Sequence, residues 1–333
     1  MALHFFSSLT GCSRDPKVEW RPGINAPQHY PALVVSGSLT DGKNSASITS
    51  GVEQYGGWGH GGLEMSTERF IPNKLSITWF SFAEDKFYRG TFALPIDIMR
   101  ALFAQGCISA DGVQTGYDYI VVNVYPEGGV ALWMKSSGGR CVEIDHFQAE
   151  EIEYDWRSMF NSLFSETRED YNKYIISIAE GAADYIAQHG VSPEPFKTVY
   201  RQRYNYTIVI DGITHADTEG LAVDFYNGET DMISEEELEN NFFKTKAVPK
   251  YIFTRWLENG VYYFGKITFD EEEIFKAFND MSLACPDEPY VLYLKHDYSM
   301  RRLSVSLRSK TKEIEIEKTG KVGISMKQPK KEN

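Results

Sequence analysis

An internal repeat is the feature that most constrains how this chain can fold. Residues 71–79 align without a gap with residues 248–256, and each segment is a proline-led apolar strand that ends in a tryptophan, Trp79 in the first and Trp256 in the second. The strand phase predicts that both tryptophans lie in a core. A repeat unit this long can bury its own core, unlike the short units of a solenoid. The pattern therefore predicts two copies of one domain.

The match continues beyond these two strands. Residues 87–90 correspond to residues 262–265, and a short helical pattern follows in each copy and ends near a cysteine, Cys107 or Cys285. A strand pair then closes each copy, at residues 119–125 and 130–134 in the first and at residues 290–296 and 301–306 in the second. The two copies are thus expected to share one order of elements.

The two matching helices carry different start signals. Pro95 stands at the first position of one helix, where its missing N–H costs no hydrogen bond. Asp270, followed three residues later by Glu273, has the spacing of a capping box at the start of the other. Each helix places apolar residues on one face, at 96, 99, 102 and 103 in the first and at 274, 275 and 278 in the second.

The segment between the copies has a helical period from Ile152 to Tyr185 and is stopped at Gly190. The sequence therefore predicts an α+β fold with two tandem copies of an antiparallel-sheet-plus-helix domain, joined by a long helical segment. The expected boundaries are 13–147 for the first copy, 148–190 for the helical connector, 191–320 for the second copy and 321–333 for a basic flexible tail.

The N-terminus carries a modification signal. Residues 9–12 read Leu-Thr-Gly-Cys and resemble the lipobox of bacterial lipoproteins, which makes Cys12 the expected lipidation site and residues 1–12 the signal segment. Several acyl chains on one cysteine would anchor the protein firmly. In the lipobox pattern, Ser13 directs the protein to the outer membrane, facing the periplasm. The alternative is an ordinary apolar N-terminus, because no Lys or Arg precedes Cys12 unless the true start codon lies upstream.

Charge and hydropathy narrow the classes of partner. The formal net charge of −13 repels phosphate backbones, so nucleic acid is not an expected partner. No apolar run after Cys12 approaches the length of a membrane span, which leaves the lipid as the expected membrane attachment. The acidic runs at 235–237 and 270–273 are expected to be solvated helix starts, with a basic protein partner as the functional alternative.

Three cysteines remain when Cys12 is set aside as the lipid site. In an oxidising compartment, we expect a disulfide between Cys107 and Cys141, because Cys141 falls opposite Lys312 in the second copy, where no equivalent bridge can form. Cys285 is then expected to be a buried free thiol.

The most unusual local sequence is residues 55–62, Tyr-Gly-Gly-Trp-Gly-His-Gly-Gly, which has no counterpart in the second copy. Glycines allow positive φ and close backbone approach. Tyr55, Trp58 and His60 are therefore candidate partner-binding residues of an exposed loop. The alternatives are a glycine-rich turn with Trp58 packed into the first core, or an esterase-like oxyanion loop.

Signals for catalysis and for cofactors are weak. The esterase alternative lacks the Gly-x-Ser-x-Gly nucleophile motif. The seven histidines are scattered, and none has the three- or four-residue spacing of metal ligands on one helix face. A glycine loop of the phosphate-binding type is also missing from the sequence. We therefore expect no catalytic residues, no metal and no cofactor.

Several motifs together resemble a family of Gram-negative lipoproteins of unknown function. They are the lipobox, residues 20–23 (Trp-Arg-Pro-Gly), 26–27 (Ala-Pro) and 30–31 (Tyr-Pro), the loop at Trp58, and the strand at 72–79. The resemblance is good over the first copy and weaker over the second. Some members of that family are similar to immunity proteins, which are encoded beside phospholipase effectors of type VI secretion and protect the producing cell in its periplasm.

The resemblance implies a binding protein rather than an enzyme. It would neutralise a phospholipase effector by covering the active site or the membrane-docking face, and the acidic surface would steer a basic partner. Two alternatives stay open. One is a cell-envelope lipoprotein that binds glycan or peptidoglycan through its aromatic residues, and the other is an esterase-like enzyme that uses His60.

Overall fold

The computed structural model describes residues 17–48, 53–63, 66–109, 112–159, 167–211, 218–258, 261–297 and 302–327. The expected lipidation residue Cys12 lies outside these ranges. In the described ranges, none of the helices combines the length and the apolar character that crossing a bilayer requires.

The protein is a mixed α+β structure in which strands predominate. The strands are β1 Arg21–Asn25, β2 Ala32–Thr40, β3 Ser45–Ile48, β4 Glu53–Gln54, β5 Gly62–Leu63, β6 Lys74–Ser81, β7 Lys86–Ala93, β8 Cys107–Ile108, β9 Gln114–Thr115, β10 Tyr119–Tyr125, β11 Gly129–Lys135, β12 Cys141–Gln148, β13 Glu150–Ile152, β14 Arg203–Asp211, β15 Thr218–Phe225, β16 Thr230–Ile233, β17 Lys244–Ala247, β18 Pro249–Glu258, β19 Val261–Phe269, β20 Tyr290–Asp297, β21 Arg302–Arg308, β22 Glu313–Ile316 and β23 Thr319–Lys327. The helices are α1 Ile96–Gln105, α2 Trp156–Met159, α3 Arg168–Ile178, α4 Ala182–His189, α5 Glu194–Lys197, α6 Glu235–Glu239 and α7 Glu271–Ala284, with a 3₁₀ turn at Val199–Arg201.

Three larger sheets organise these strands. A ten-stranded sheet has the order β23-β19-β18-β15-β16-β12-β11-β10-β1-β5. A second sheet runs β13-β7-β6-β2-β3, with β4 attached to β2, and a third runs β17-β14-β20-β21-β22. The short strands β8 and β9 pair with each other.

The first half of the chain, through β13, and the second half, from β14, use the same strand pairings. β1 runs parallel to β10, and β14 runs parallel to β20. β6 and β7 form a hairpin whose outer edge takes β13, and β18 and β19 form one whose outer edge takes β23. The sequence predicted antiparallel sheets, but each half contains this one parallel pair, because its first strand joins a strand that lies far along the chain.

The two halves meet in the ten-stranded sheet. β12 of the first half pairs with β16 of the second through Cys141 and Thr230. As a result, β10 and β11 are buried on both faces, and their side chains divide between two hydrophobic clusters. Val122 and Leu132 belong to the core of the first half, whereas Trp133 belongs to a cluster made largely by the second. Burial on both faces explains why these strands are nearly continuous apolar runs.

The strands and helices predicted from the two matching segments follow the sequence pattern closely. Trp79 and Trp256, predicted to be core residues, are 1% and 2% exposed. The carboxylate of Asp270 accepts a hydrogen bond from the Glu273 N–H at 3.0 Å, as the predicted cap requires. Glu273 does not return the bond to Asp270, because its carboxylate accepts the N–H groups of Glu317 and Lys318 instead. The helix start is thus tied to the turn between β22 and β23.

Two predicted boundaries differ from the structure. The connector is not one long helical segment, because it begins with strand β13 and continues as the short helices α2, α3 and α4. Gly181, with φ of 70°, separates α3 from α4, and Gly190 ends α4 as predicted. The expected flexible tail forms strand β23 as far as Lys327, where pairing with β19 satisfies its backbone.

Candidate functional site

The glycine-rich loop lies at the contact between the two halves. Gly59 has φ of 74°, and a Cβ placed on it would stand 2.0 Å from the carbonyl oxygen of Gly228. Gly228 belongs to the turn between β15 and β16 and also has a positive φ, of 82°. A side chain on either residue would collide with backbone, so the loop has glycine here because two main chains touch.

A buried asparagine holds this loop in place. Asn123 is fully buried in β10, and its Oδ1 accepts the N–H of Gly59 at 2.8 Å. Its Nδ2 donates to the carbonyl oxygen of His60 at 3.2 Å. Sequence reasoning missed Asn123. The sequence did carry a signal for Asn123, which is a lone polar residue inside an otherwise apolar strand. A buried amide needs hydrogen-bond partners, so such a residue is expected to hold a neighbouring segment.

Trp58 packs among aromatic rings from both sides of the junction. Its ring centroid lies 4.9 Å from that of Trp133, 5.5 Å from Tyr125 and 4.8 Å from Phe196, all in edge-to-face geometry. The alternative of a turn packed into the first core is therefore wrong in one respect. Tyr125 and Trp133 are residues of the first half, but they point into the cluster made largely by the second half. Trp58 is partly exposed and lines a cleft.

The two ring nitrogens of His60 face charged neighbours. Nδ1 lies 2.7 Å from the Lys135 ammonium, and Nε2 lies 3.7 Å from the carboxylate of Asp224. Burial by itself would raise the pKa of Asp224, but hydrogen bonds from His60, Tyr251 and Thr230 outweigh that cost and hold the pKa below its usual value. Asp224 is therefore a carboxylate, and His60 bridges it to Lys135.

The cleft beside this loop has a volume of about 530 Å³ and is bounded by both halves and the connector. The first half contributes residues 27–30 and the glycine-rich loop, and the segment between β13 and β14 contributes Tyr185 and Phe196. The second half contributes Asp224, Lys250 and the start of α7. We call it the central cleft. The sequence candidates Trp58 and His60 line it, whereas Tyr55 is 38% exposed and lies outside its wall.

A carboxylate and an imidazole line the central cleft. Burial raises the pKa of Glu271, whose Oε1 accepts the Tyr200 hydroxyl at 2.7 Å. His29 stacks on Tyr185 with ring centroids 4.2 Å apart. Its pKa is lowered by burial and by the positive charges of Lys250 and His189. His29 is thus held uncharged at neutral pH.

An ion cluster, largely buried at Arg201 and Glu143, fixes the start of the second half beside the cleft. Arg201 donates from Nε to Glu143 on β12 at 2.9 Å and also donates to the carbonyl oxygen of Phe196. Arg203 pairs with Glu229 at 2.8 Å, and Glu229 accepts the N–H of Glu143 at 3.3 Å. The cluster thereby links β12 and β14 to the turn that contains Glu229.

The three described cysteines are free, which corrects the predicted Cys107–Cys141 disulfide. Cys107 lies in the core of the first half with Sγ 3.3 Å from Thr115 Oγ1. Cys141 lies in the other cluster, where its thiol donates to the Gly59 carbonyl at 3.4 Å. Opposite faces of the sheet thus separate the two thiols. Cys285 is a buried free thiol, as predicted.

We expect the native thiols to be unreactive. Burial raises the pKa of Cys141 far above that of an exposed thiol, which removes the nucleophilic thiolate. In a Cys12→Ser variant, an aromatic disulfide reagent should label almost no thiol in the native state and all three after denaturation without reductant. Labelling of only one thiol after denaturation would show that Cys107 and Cys141 do form the predicted disulfide.

Comparison with known proteins identifies the family. Residues 8–193, more than half of the chain, match a family described as protein of unknown function (DUF2931). The chain belongs to this family. The matched region ends at the connector, before β14. No curated protein and no solved structure matches the chain.

Proposed function

We propose that this DUF2931 protein is a lipid-anchored binding protein of the Gram-negative periplasm. It neutralises a type VI secretion phospholipase effector by covering the active site or the membrane-docking face of the enzyme. The observation that carries the binding role is the central cleft, a large concave surface with aromatic walls at the contact between two halves. Aromatic residues in such sites are the usual anchors of protein interfaces.

The surroundings of His60 support binding over catalysis. A general base needs a free nitrogen lone pair within reach of the substrate. Nδ1 of His60 instead faces the Lys135 ammonium, which donates to it, and Nε2 faces Asp224. The nearby thiol of Cys141 is buried and protonated. We therefore propose that the loop is structural and recognises a partner, with Cys12 as the lipid anchor.

We further propose that the chain is a tandem duplication. The shared pairings of β1 with β10 and of β14 with β20 support it, and so does the position of the family match, which ends near the expected boundary at residue 190. Each copy then supplies one wall of the central cleft. A partner held between two copies would be gripped from both sides.

A second candidate function is the binding of cell-envelope glycan. The aromatic rings of Trp58, Tyr185 and Tyr251 in the cleft wall favour it, because sugar rings also stack on aromatic faces. The ligands of the two candidate functions differ in charge. A neutral glycan gains no charge attraction from the acidic groups of the cleft, whereas a basic protein does. Pull-down with peptidoglycan fragments separates them.

Co-expression tests the proposed function. A phospholipase effector encoded beside the gene is directed to the periplasm of a test strain, with and without this protein. We expect growth to be restored only when the protein is present. A Cys12→Ser variant exported by an unrelated signal is the matched control, and it should protect less at low expression because the tether raises the local concentration. Equal killing with and without the protein would refute the proposal.

A further inference from the structure

We propose that the central cleft binds an arginine side chain, gripped between the aromatic walls and the carboxylates of Asp224 and Glu271. This deepens the proposed function and rests on it for the source of the arginine, which is the protein partner. The site lies where the glycine-rich loop, the connector and the start of α7 meet.

The aromatic walls suit a guanidinium group. Trp58, Tyr185, Phe196, Tyr200, Tyr226 and Tyr251 all line the cleft. Aromatic faces attract cations through the ring quadrupole, and the planar guanidinium stacks on them while its N–H groups remain free to donate. A compact ammonium group is not planar and cannot stack on a ring in this way.

The charges in the cleft favour a cation. Asp224, Glu229, Asp270 and Glu271 line it, against Lys250 as the one lysine or arginine among the lining residues in the described part of the chain. Glu229 is committed to Arg203, and Asp270 caps α7. Glu271 uses one oxygen for Tyr200 and has the other for a ligand. Asp224 already accepts hydrogen bonds from His60, Tyr251 and Thr230, and it contributes its negative charge to the cleft wall.

Two polar atoms of the residues that line the cleft indicate which hydrogen-bonding groups the ligand supplies besides its charge. The indole Nε1 of Trp58 and Nδ1 of His29 are buried and have no hydrogen-bond partner in the described structure. Buried polar atoms are normally paired. Nδ1 of the neutral His29 can accept a guanidinium N–H, and the indole N–H can donate to a carbonyl. An arginine residue within a peptide supplies both groups.

The test uses the full-length protein and two neutral-backbone probes, N-acetylarginine methylamide and its citrulline analogue, which has the same shape without the charge. Binding is followed by tryptophan fluorescence, to which Trp58 responds. We expect saturable binding of the arginine probe and at least tenfold weaker binding of the citrulline probe. Glu271→Gln and Asp224→Asn should each weaken arginine binding at least tenfold, and Glu150→Gln, at an exposed carboxylate on β13, should leave it unchanged.

The outcomes separate this proposal from the proposed function. Equal binding of both probes, or binding of an N-acetylglucosamine tetramer in place of arginine, would overturn the arginine site, and the wild-type comparison needs no variant to fold. If the phospholipase is neutralised equally by the wild type and by Glu271→Gln while the arginine probe does not bind, the site alone is wrong. If arginine binds and no phospholipase is neutralised, the site stands and the immunity function fails.

Discussion

Replacing Arg201 by Met is expected to lower the free energy of unfolding by about 3 to 5 kcal/mol, because it leaves the buried Glu143 without its counter-charge. The side chains of Arg201 and Glu143 are 14% and 9% exposed, so water cannot replace the lost partner. The change also removes the hydrogen bond to the Phe196 carbonyl and the guanidinium that lies 6.0 Å from the Trp58 ring centroid. Urea denaturation followed by tryptophan fluorescence measures the loss.

The loss of stability in Arg201→Met should depend on pH. Burial raises the pKa of Glu143 in the folded protein to about 7, above the value of an exposed glutamate, and loss of Arg201 raises it further. The folded state then binds more protons than the unfolded chain, so stability rises as the pH falls through this window. We expect the difference between variant and wild type to be smaller at about pH 5 than at about pH 8.

The matched control is Lys86→Met, which breaks the ion pair between Lys86 and Glu151, two exposed side chains joined at 2.7 Å. Solvent screens such a pair, so its loss should leave stability nearly unchanged. Equal effects of Arg201→Met and Lys86→Met would show that burial gives the Arg201 pair no special role. A defect that grows on acidification would contradict the assignment to Glu143.

Replacing Gly59 by Ala is expected to lower the free energy of unfolding by about 2 to 5 kcal/mol, the sum of about 1 to 2 for positive φ and about 1 to 3 for overpacking. The new Cβ would lie 2.0 Å from the Gly228 carbonyl oxygen, so one of the two backbones must move. The shift would pull the Gly59 N–H away from Asn123 and reshape the cleft wall at Trp58. Arginine binding and stability should therefore fall together.

Gly56→Ala in the same loop separates strain from collision. Gly56 also has a positive φ, of 99°, but nothing lies within 4 Å of the position of its Cβ. We expect a loss of about 1 to 2 kcal/mol from backbone strain alone. If Gly59→Ala costs no more than Gly56→Ala, the contact between the two backbones does not hold the halves together.

Local pattern predicts much of this fold. The strand at Tyr119–Tyr125 was expected at the same residues, and the helix that starts after Asp270 begins where its cap requires. These sequence signals are local, because the alternation of apolar and polar residues, the helix caps and the glycines that end helices each act over a few residues. Where a strand pairs beyond its own hairpin, as β13 and β23 do, the local sequence gives no such signal.

The site was predicted only in part. The glycine-rich loop stood out, and it supplies Trp58 and His60 to the cleft. Its other walls come from positions far apart in the chain, such as His29, Tyr185 and Glu271, which the tertiary structure brings together. Contacts between residues this far apart in the chain leave no periodic pattern in the sequence. The disulfide prediction was based on Cys141 having no cysteine counterpart in the second copy, and that comparison does not show which face of the sheet each thiol occupies.

The junction of β12 and β16 decides how the protein can be divided. Each of these strands would become an open edge if the chain were cut in the connector, and β11 would expose its second apolar face, including Trp133. Open apolar edges recruit further strands and drive aggregation. A fragment that ends at the family boundary would therefore tend to self-associate, and stoichiometries obtained from such a fragment would describe its new edge rather than the native surface.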